Sequence, residues 1–112
     1  MDLQSSETAD MQIVTVNEAR IDAAVAIRFK DRMREVTGTG APHVILDLAQ
    51  VDFIDSSGLG AIVAAMKQLG ATRRLDLAGL SANVDRVFRL TRMDSVFTIH
   101  DDVAQAQAVY AG

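Results

Sequence analysis

The chain of 112 residues contains no cysteine and no tryptophan, and only one proline and one tyrosine. Without cysteine, disulfide bridges and thiolate metal sites are excluded. Aromatic residues make up 4% of the chain against 49% apolar residues, so the core has to be built from Val, Ile, Leu, Met and Ala. Basic residues are outnumbered 11 to 15 by acidic ones. The resulting charge of −4 argues against a nucleic-acid binder, which would carry a clustered basic surface. It gives no support to electrostatic attachment to an anionic membrane either. No apolar run approaches the roughly 20 residues of a membrane span. The first ten residues, "MDLQSSETAD", are polar and acidic, unlike a secretory signal. The expectation is a soluble cytoplasmic protein with no membrane insertion, folded as one domain over residues 1–112.

Apolar patterning gives the order of elements. "MQIVTV", residues 11–16, has the β-branched content of a strand. Residues 1–10 are either disordered or a short edge strand in which Leu3 is hairpinned to that strand. Asp22 is a candidate N-cap for a helix whose apolar stripe is Val25, Phe29, Met33 and Val36. "TGTGAP", residues 37–42, stops that helix. "HVILDL", residues 43–48, is apolar without alternation, which suits a strand covered on both faces. Leu59, Ile62, Val63, Met66 and Leu69 form a second helical stripe, closed by Gly70. "LDLAGL", residues 75–80, predicts a third core strand, and Ser81 a cap for a helix carrying Val84, Val87, Phe88 and Leu90. "SVFTIH", residues 95–100, predicts a fourth core strand, and Asp101 or Asp102 caps a last helix ending near Tyr110. The order β-β-α-β-α-β-α-β-α implies an α/β sandwich: a mostly parallel sheet of four to five strands covered by about four helices.

Most enzyme chemistries fail on spacing. A nucleophile elbow places serine between glycines, whereas both serines of "DSSGLG" precede them. His43 and His100 sit at a strand start and a strand end, where they read as solvated residues rather than as a catalytic base. Gly58-Leu59-Gly60 follows a strand, and Asp76 lies near where a ribose-binding acid would fall. Yet Val63 occupies the third small position, and Asp55-Ser56-Ser57 lengthens a turn that a dinucleotide fingerprint keeps tight. Asp47, Asp52 and Asp55 lack the loop spacing of a cation site and read as an acidic rim plus one cap. Arg86, Arg89 and Arg92 recur every third residue, as a solvated helix face does, although such a face can also meet an acidic partner.

The serines are harder to dismiss. Asp55 or Ser56 suffices to cap the following helix, and that role uses one side-chain oxygen. Capping does not call for adjacent serines followed by Gly58 and Gly60, each of which weakens a helix by up to about 1 kcal/mol relative to Ala. Glycines here would leave bare backbone where another protein's active site approaches. A phosphoryl group on a hydroxyl would sit at a helix N-terminus, where free N–H groups and the dipole favour negative charge.

At these residues the chain resembles the STAS family, and within it the single-domain anti-sigma factor antagonists of bacteria. The resemblance runs from about Gln12 to Ala108. "VILDLAQVDFIDSSGLGAIV", residues 44–63, looks like the central strand and phosphorylation loop, and "ARID", residues 19–22, like the family's G-x-[LI]-D. It implies a STAS-like sandwich with Ser56 as phosphoacceptor and Ser57 as the fallback. Asp55, Ser57, Gly58, Leu59 and Gly60 would then form the phosphorylation loop and partner-binding segment. It further implies a non-enzymatic, monomeric protein without a cofactor of its own. The partners would be a serine-kinase anti-sigma factor, which supplies ATP and magnesium, and a PP2C-type phosphatase. Related domains serve instead as constitutive subunits that bind the ATPase of lipid-transport ABC complexes. Two departures stand out: Ala19 replaces a frequent glycine, and Arg92-Met93 replaces a Gly-Leu pair after the third helix.

Overall fold

The computed structural model describes residues 1–8, 10–38 and 40–110. Strand β1 (Leu3–Glu7) runs antiparallel to β2 (Met11–Val16), with Leu3 opposite Val16 and Glu7 opposite Gln12. The other pairings of this five-stranded sheet are parallel: β2 with β4 (His43–Asp47), β4 with β6 (Arg74–Ala78), and β6 with β7 (Ile99–His100). The order is β1-β2-β4-β6-β7. A separate parallel ribbon joins β3 (Arg20–Ile21) to β5 (Phe53–Ile54). Among the described residues four helices complete the fold: α1 (Ala26–Val36), α2 (Ser56–Leu69), α3 (Ala82–Leu90) and α4 (Val103–Tyr110).

Alternation along the strands divides the interior in two. Val14, Val16, Val44, Leu46, Leu75 and Leu77 face a large core filled by Phe29 and Met33 of α1, Ile62 and Leu69 of α2, and Val84 and Phe88 of α3. Met11, Ile45 and Ala78 face the other way and meet Ala106 of α4. The unbroken apolar run of β4 is therefore buried on both faces, as its sequence predicts.

Three elements differ from the sequence expectation. Helix α1 begins at Ala26, four residues beyond Asp22. Asp22 opens a turn instead: its side chain accepts from the Ala24 N–H (3.1 Å) and its carbonyl from the Val25 N–H (3.0 Å). Of "SVFTIH" only Ile99 and His100 pair as a strand, at the sheet edge beside Leu77 and Ala78. The stretch before it forms a 3-10 turn at Met93–Ser95, so that Phe97 reaches the core edge-to-face with Phe88 (6.0 Å between centroids). Leu90 lies outside its expected stripe, 77% exposed. It sits two residues past Phe88, about 200° round the helix and on the opposite face. The caps agree better. Ser81 accepts from the Val84 N–H, Asp102 from the Gln105 N–H, and Gly70 ends α2 with φ 82°.

The histidines are less solvated than expected, His43 half-buried and His100 buried. The Nε2 of His100 lies 2.8 Å from Asp76 Oδ2, and His43 stacks on the ring of Tyr110 at 4.2 Å. Asp76 also accepts hydrogen bonds from the Tyr110 hydroxyl and from Arg74 Nε (2.8 Å). Burial alone would raise the Asp76 carboxyl, but the bonds from His100, Tyr110 and Arg74 outweigh it and hold the group below the usual carboxylate range. Its oxygens are engaged by these bonds, of which the one from Tyr110 ties α4 to the sheet, and are not free for a ribose. Tyr110 answers in the opposite direction: burial, then the bond to Asp76, pushes its phenol up to about 12.

A phenol whose pKa rises on folding adds stability that is complete below its unfolded value of 10.0 and disappears as pH climbs to about 12. Because Tyr110 is the only tyrosine and tryptophan is absent, phenolate absorbance reports it alone. The native protein is expected to titrate near 12 and the urea-unfolded chain near 10. Tyr110→Phe should cost about 1 kcal/mol or less at neutral pH. It should also lose the part of the stability decline between pH 10 and 12 that belongs to this group. A native phenol titrating at 10 would contradict the arrangement.

Candidate functional site

The β3–β5 ribbon builds the site. The Ala19 carbonyl accepts from the Asp52 N–H (2.8 Å) and the Phe53 N–H (3.3 Å), and the Ile21 carbonyl from the Asp55 N–H (3.4 Å). Ala19 thus serves in place of glycine through its carbonyl, and it needs no left-handed backbone. Ile21 and Ile54, which face each other across the ribbon, are buried, and Arg20 and Phe53, the other facing pair, are exposed. Two-residue strands are too short for periodicity to reveal, and both went unseen in the sequence.

Asp55 follows directly and caps α2. Its Oδ1 accepts from the Gly58 N–H (2.8 Å), and its Oδ2 from the Ala23 N–H (3.0 Å) in the turn before α1. One carboxylate thereby fastens two segments 32 residues apart. The Gly58 N–H is the strongest influence on its charge; with Ala23 it outweighs the upward push of burial and holds the Asp55 carboxyl below the usual carboxylate range.

With Asp55 as the cap, neither serine is needed for that role. Ser56 and Ser57 form the first turn of α2, both exposed, and among the described residues no hydrogen bond holds either hydroxyl. The two glycines behave differently. Gly60 is exposed, with nothing within 4 Å of where a Cβ would stand. Gly58 is buried, and a Cβ there would lie 1.9 Å from the Ile21 carbonyl oxygen. The expectation of bare backbone open to a visitor fits Gly60 alone, because Gly58 lacks a side chain for close packing of α2 on β3. Leu59 is half-buried against the main core.

Among the described residues no group of three or more His, Asp or Glu could hold a metal ion. Asp47 is used locally, accepting from the Ala49 N–H, and Asp52 is exposed. Arg89 pairs with Asp85 (2.8 Å) and Asp94 (3.6 Å), so part of the arginine series is internally neutralised. Arg92 has φ 60°, the only positive φ among the described non-glycine residues. The turn after α3 thus keeps a backbone suited to glycine, and the substitution at Arg92 changes the side chain presented there.

The model of the STAS domain family matches residues 2–106. The chain belongs to the STAS family. STAS relatives include the anti-sigma-B factor antagonist of Listeria monocytogenes, 29% identical over 100 residues, covering 88% of this chain and 86% of the relative. Among solved structures, an anti-sigma factor antagonist STAS domain protein of Planctomyces limnophilus superposes with a TM-score of 0.89 at 18% identity, all of both chains covered. The Bacillus protein SpoIIAA has been solved unphosphorylated (TM-score 0.76, 19% identity, 99% and 98% of the two chains) and phosphorylated (0.67, 19%, 96% and 99%). These likenesses carry the STAS fold. No described helix of this STAS chain is long and apolar enough to cross a membrane.

Proposed function

We propose that the protein is an anti-sigma factor antagonist, switched by phosphorylation of Ser56. The carrying observation is the division of labour at the start of α2: Asp55 does all the capping and leaves two exposed hydroxyls unbonded. Support also comes from the Listeria relative's role and from SpoIIAA, a protein known in both phosphorylation states. Ser56, directly after the capping aspartate, is the acceptor, with Ser57 as the fallback.

In this reading the unmodified chain occupies a serine-kinase anti-sigma factor in the cytoplasm and so frees the sigma factor. The kinase transfers the γ-phosphoryl group of its own Mg-ATP to Ser56 and is released, and a PP2C-type phosphatase resets the cycle. The antagonist is itself non-enzymatic and monomeric. Its contribution is presentation: a rigid helix start with the hydroxyl outward, and Gly60 leaving room one turn on.

The test is incubation with Mg-ATP and each histidine-kinase-like ATPase of the source genome, followed by phosphosite mapping by mass spectrometry. One phosphoryl group is expected on Ser56 and none on Ser56→Ala. Undiminished labelling of Ser56→Ala would overturn the assignment.

A further inference from the structure

Three of the four phenylalanines, Phe29, Phe88 and Phe97, are no more than 3% exposed, whereas Phe53 is 40% exposed. It stands on the outer face of the ribbon directly opposite Arg20, whose Cζ lies 4.1 Å from the centre of its ring. A guanidinium stacked on an aromatic face is a preorganised pair that loses little side-chain freedom on binding. Aromatic and arginine side chains are also the types that dominate binding energy at protein interfaces.

The pair is fixed with respect to Ser56. Phe53 is three residues before it on the same connection. Arg20 is tied in through the Ile21 carbonyl, which accepts from the Asp55 N–H, and through the Ala23 N–H, which donates to the Asp55 carboxylate. The other charged side chains of segments 17–24 and 50–57 are Glu18, Asp22, Asp52 and Asp55, all acidic. Arg20 gives its Nε–H to Asp22 (3.2 Å), while its Nη donors have no partner among the described residues.

Resting on the switch reading above, we infer that Arg20 and Phe53 select the partner: they fit a kinase surface offering a carboxylate to the free guanidinium edge beside an apolar contact for the ring. Recognition by this pair precedes transfer to Ser56 and does not touch the reacting atoms. Arg20 is therefore a specificity residue. Its removal raises KM and leaves the transfer step alone.

The experiment measures steady-state phosphorylation of the full chain by the ATPase that labels wild type, for Arg20→Ala, Arg20→Glu and Phe53→Ala, with thermal melts of each. Arg20→Glu is expected to raise KM by about tenfold or more, with a smaller rise for Arg20→Ala, at unchanged kcat and melting temperature. Added salt should narrow the difference between wild type and Arg20→Ala. The Arg20 variants decide the matter even if Phe53→Ala loosens the ribbon. Failure of wild type to be labelled by any such ATPase sinks the switch reading itself. Wild type labelled on Ser56 with Arg20→Glu equal in KM overturns this inference alone, as does a fall confined to kcat.

Discussion

Replacing Gly58 with alanine is expected to destabilise the protein by about 2–3 kcal/mol, and replacing Gly60, two residues away, to leave stability unchanged or raise it by up to about 1 kcal/mol. At position 58 the new methyl would stand 1.9 Å from the Ile21 carbonyl oxygen, 2.7 Å from its carbon and 3.0 Å from Ile54 Cγ1. The first two are backbone atoms and cannot swing aside. The Ile21 oxygen also accepts the Asp55 N–H, so moving it breaks the ribbon, and moving α2 instead breaks the Asp55–Gly58 cap. At position 60 the methyl meets nothing, and the helix gains from losing a glycine. For a domain of this size about 4 °C of melting temperature corresponds to 1 kcal/mol. Gly58→Ala should therefore melt roughly 8–12 °C below wild type in a thermal scan. A melt matching wild type would show that α2 does not press on β3 as described. Phosphorylation should suffer with stability, since the displaced turn is the one that carries Ser56.

The second large effect concerns charge. If the proposed switch operates, Ser56→Asp is expected to weaken binding to the partner kinase by at least about tenfold while the fold is preserved. A residue at the start of α2 carrying negative charge is favoured within the monomer by the helix dipole, worth about 0.3–1 kcal/mol. In the complex the same charge would be enclosed beside Asp55, whose oxygens are already engaged by Gly58 and Ala23, and near Asp52. Burying a charge without a partner costs several kcal/mol, and 1.4 kcal/mol is a factor of ten in affinity. Stability and binding should thus move in opposite directions. Calorimetric titration with the unmodified kinase measures the second, and an affinity equal to wild type would count against exclusion as the mechanism. Aspartate carries less charge than phosphate, so phosphorylation of Ser56 is expected to act more strongly.

What could be read in advance follows from how local each determinant is. The boundaries of β2, the double burial of β4 and the caps at Ser81 and at one of Asp101 and Asp102 are written in contiguous residues, through β-branching, an unbroken apolar run and side-chain oxygens before a helix. The β3–β5 ribbon is not local. It exists because two dipeptides 33 positions apart pair, and neither shows a period. The start of α1 is misplaced for a related reason: the Ala23 N–H, which an isolated helix would satisfy by local capping, goes to Asp55 instead. His100 looked solvated because its partners, Asp76 and Tyr110, come from another strand and from α4. Within the loop that the motif singles out, the sequence could not divide the roles. Asp55 against Ser56 as cap, and Gly58 as packing against Gly60 as open surface, are decided by the carbonyl of Ile21 and the N–H groups around it.

The central claim is that phosphate on Ser56 decides whether the partner is held. Its most direct test compares one preparation before and after stoichiometric phosphorylation, titrated against the same kinase in the presence of Mg-ADP so that no further transfer occurs. The account predicts tight binding of the unmodified chain, a loss of at least about tenfold on phosphorylation, and recovery after treatment with a PP2C-type phosphatase. Equal affinity of the two forms would contradict it.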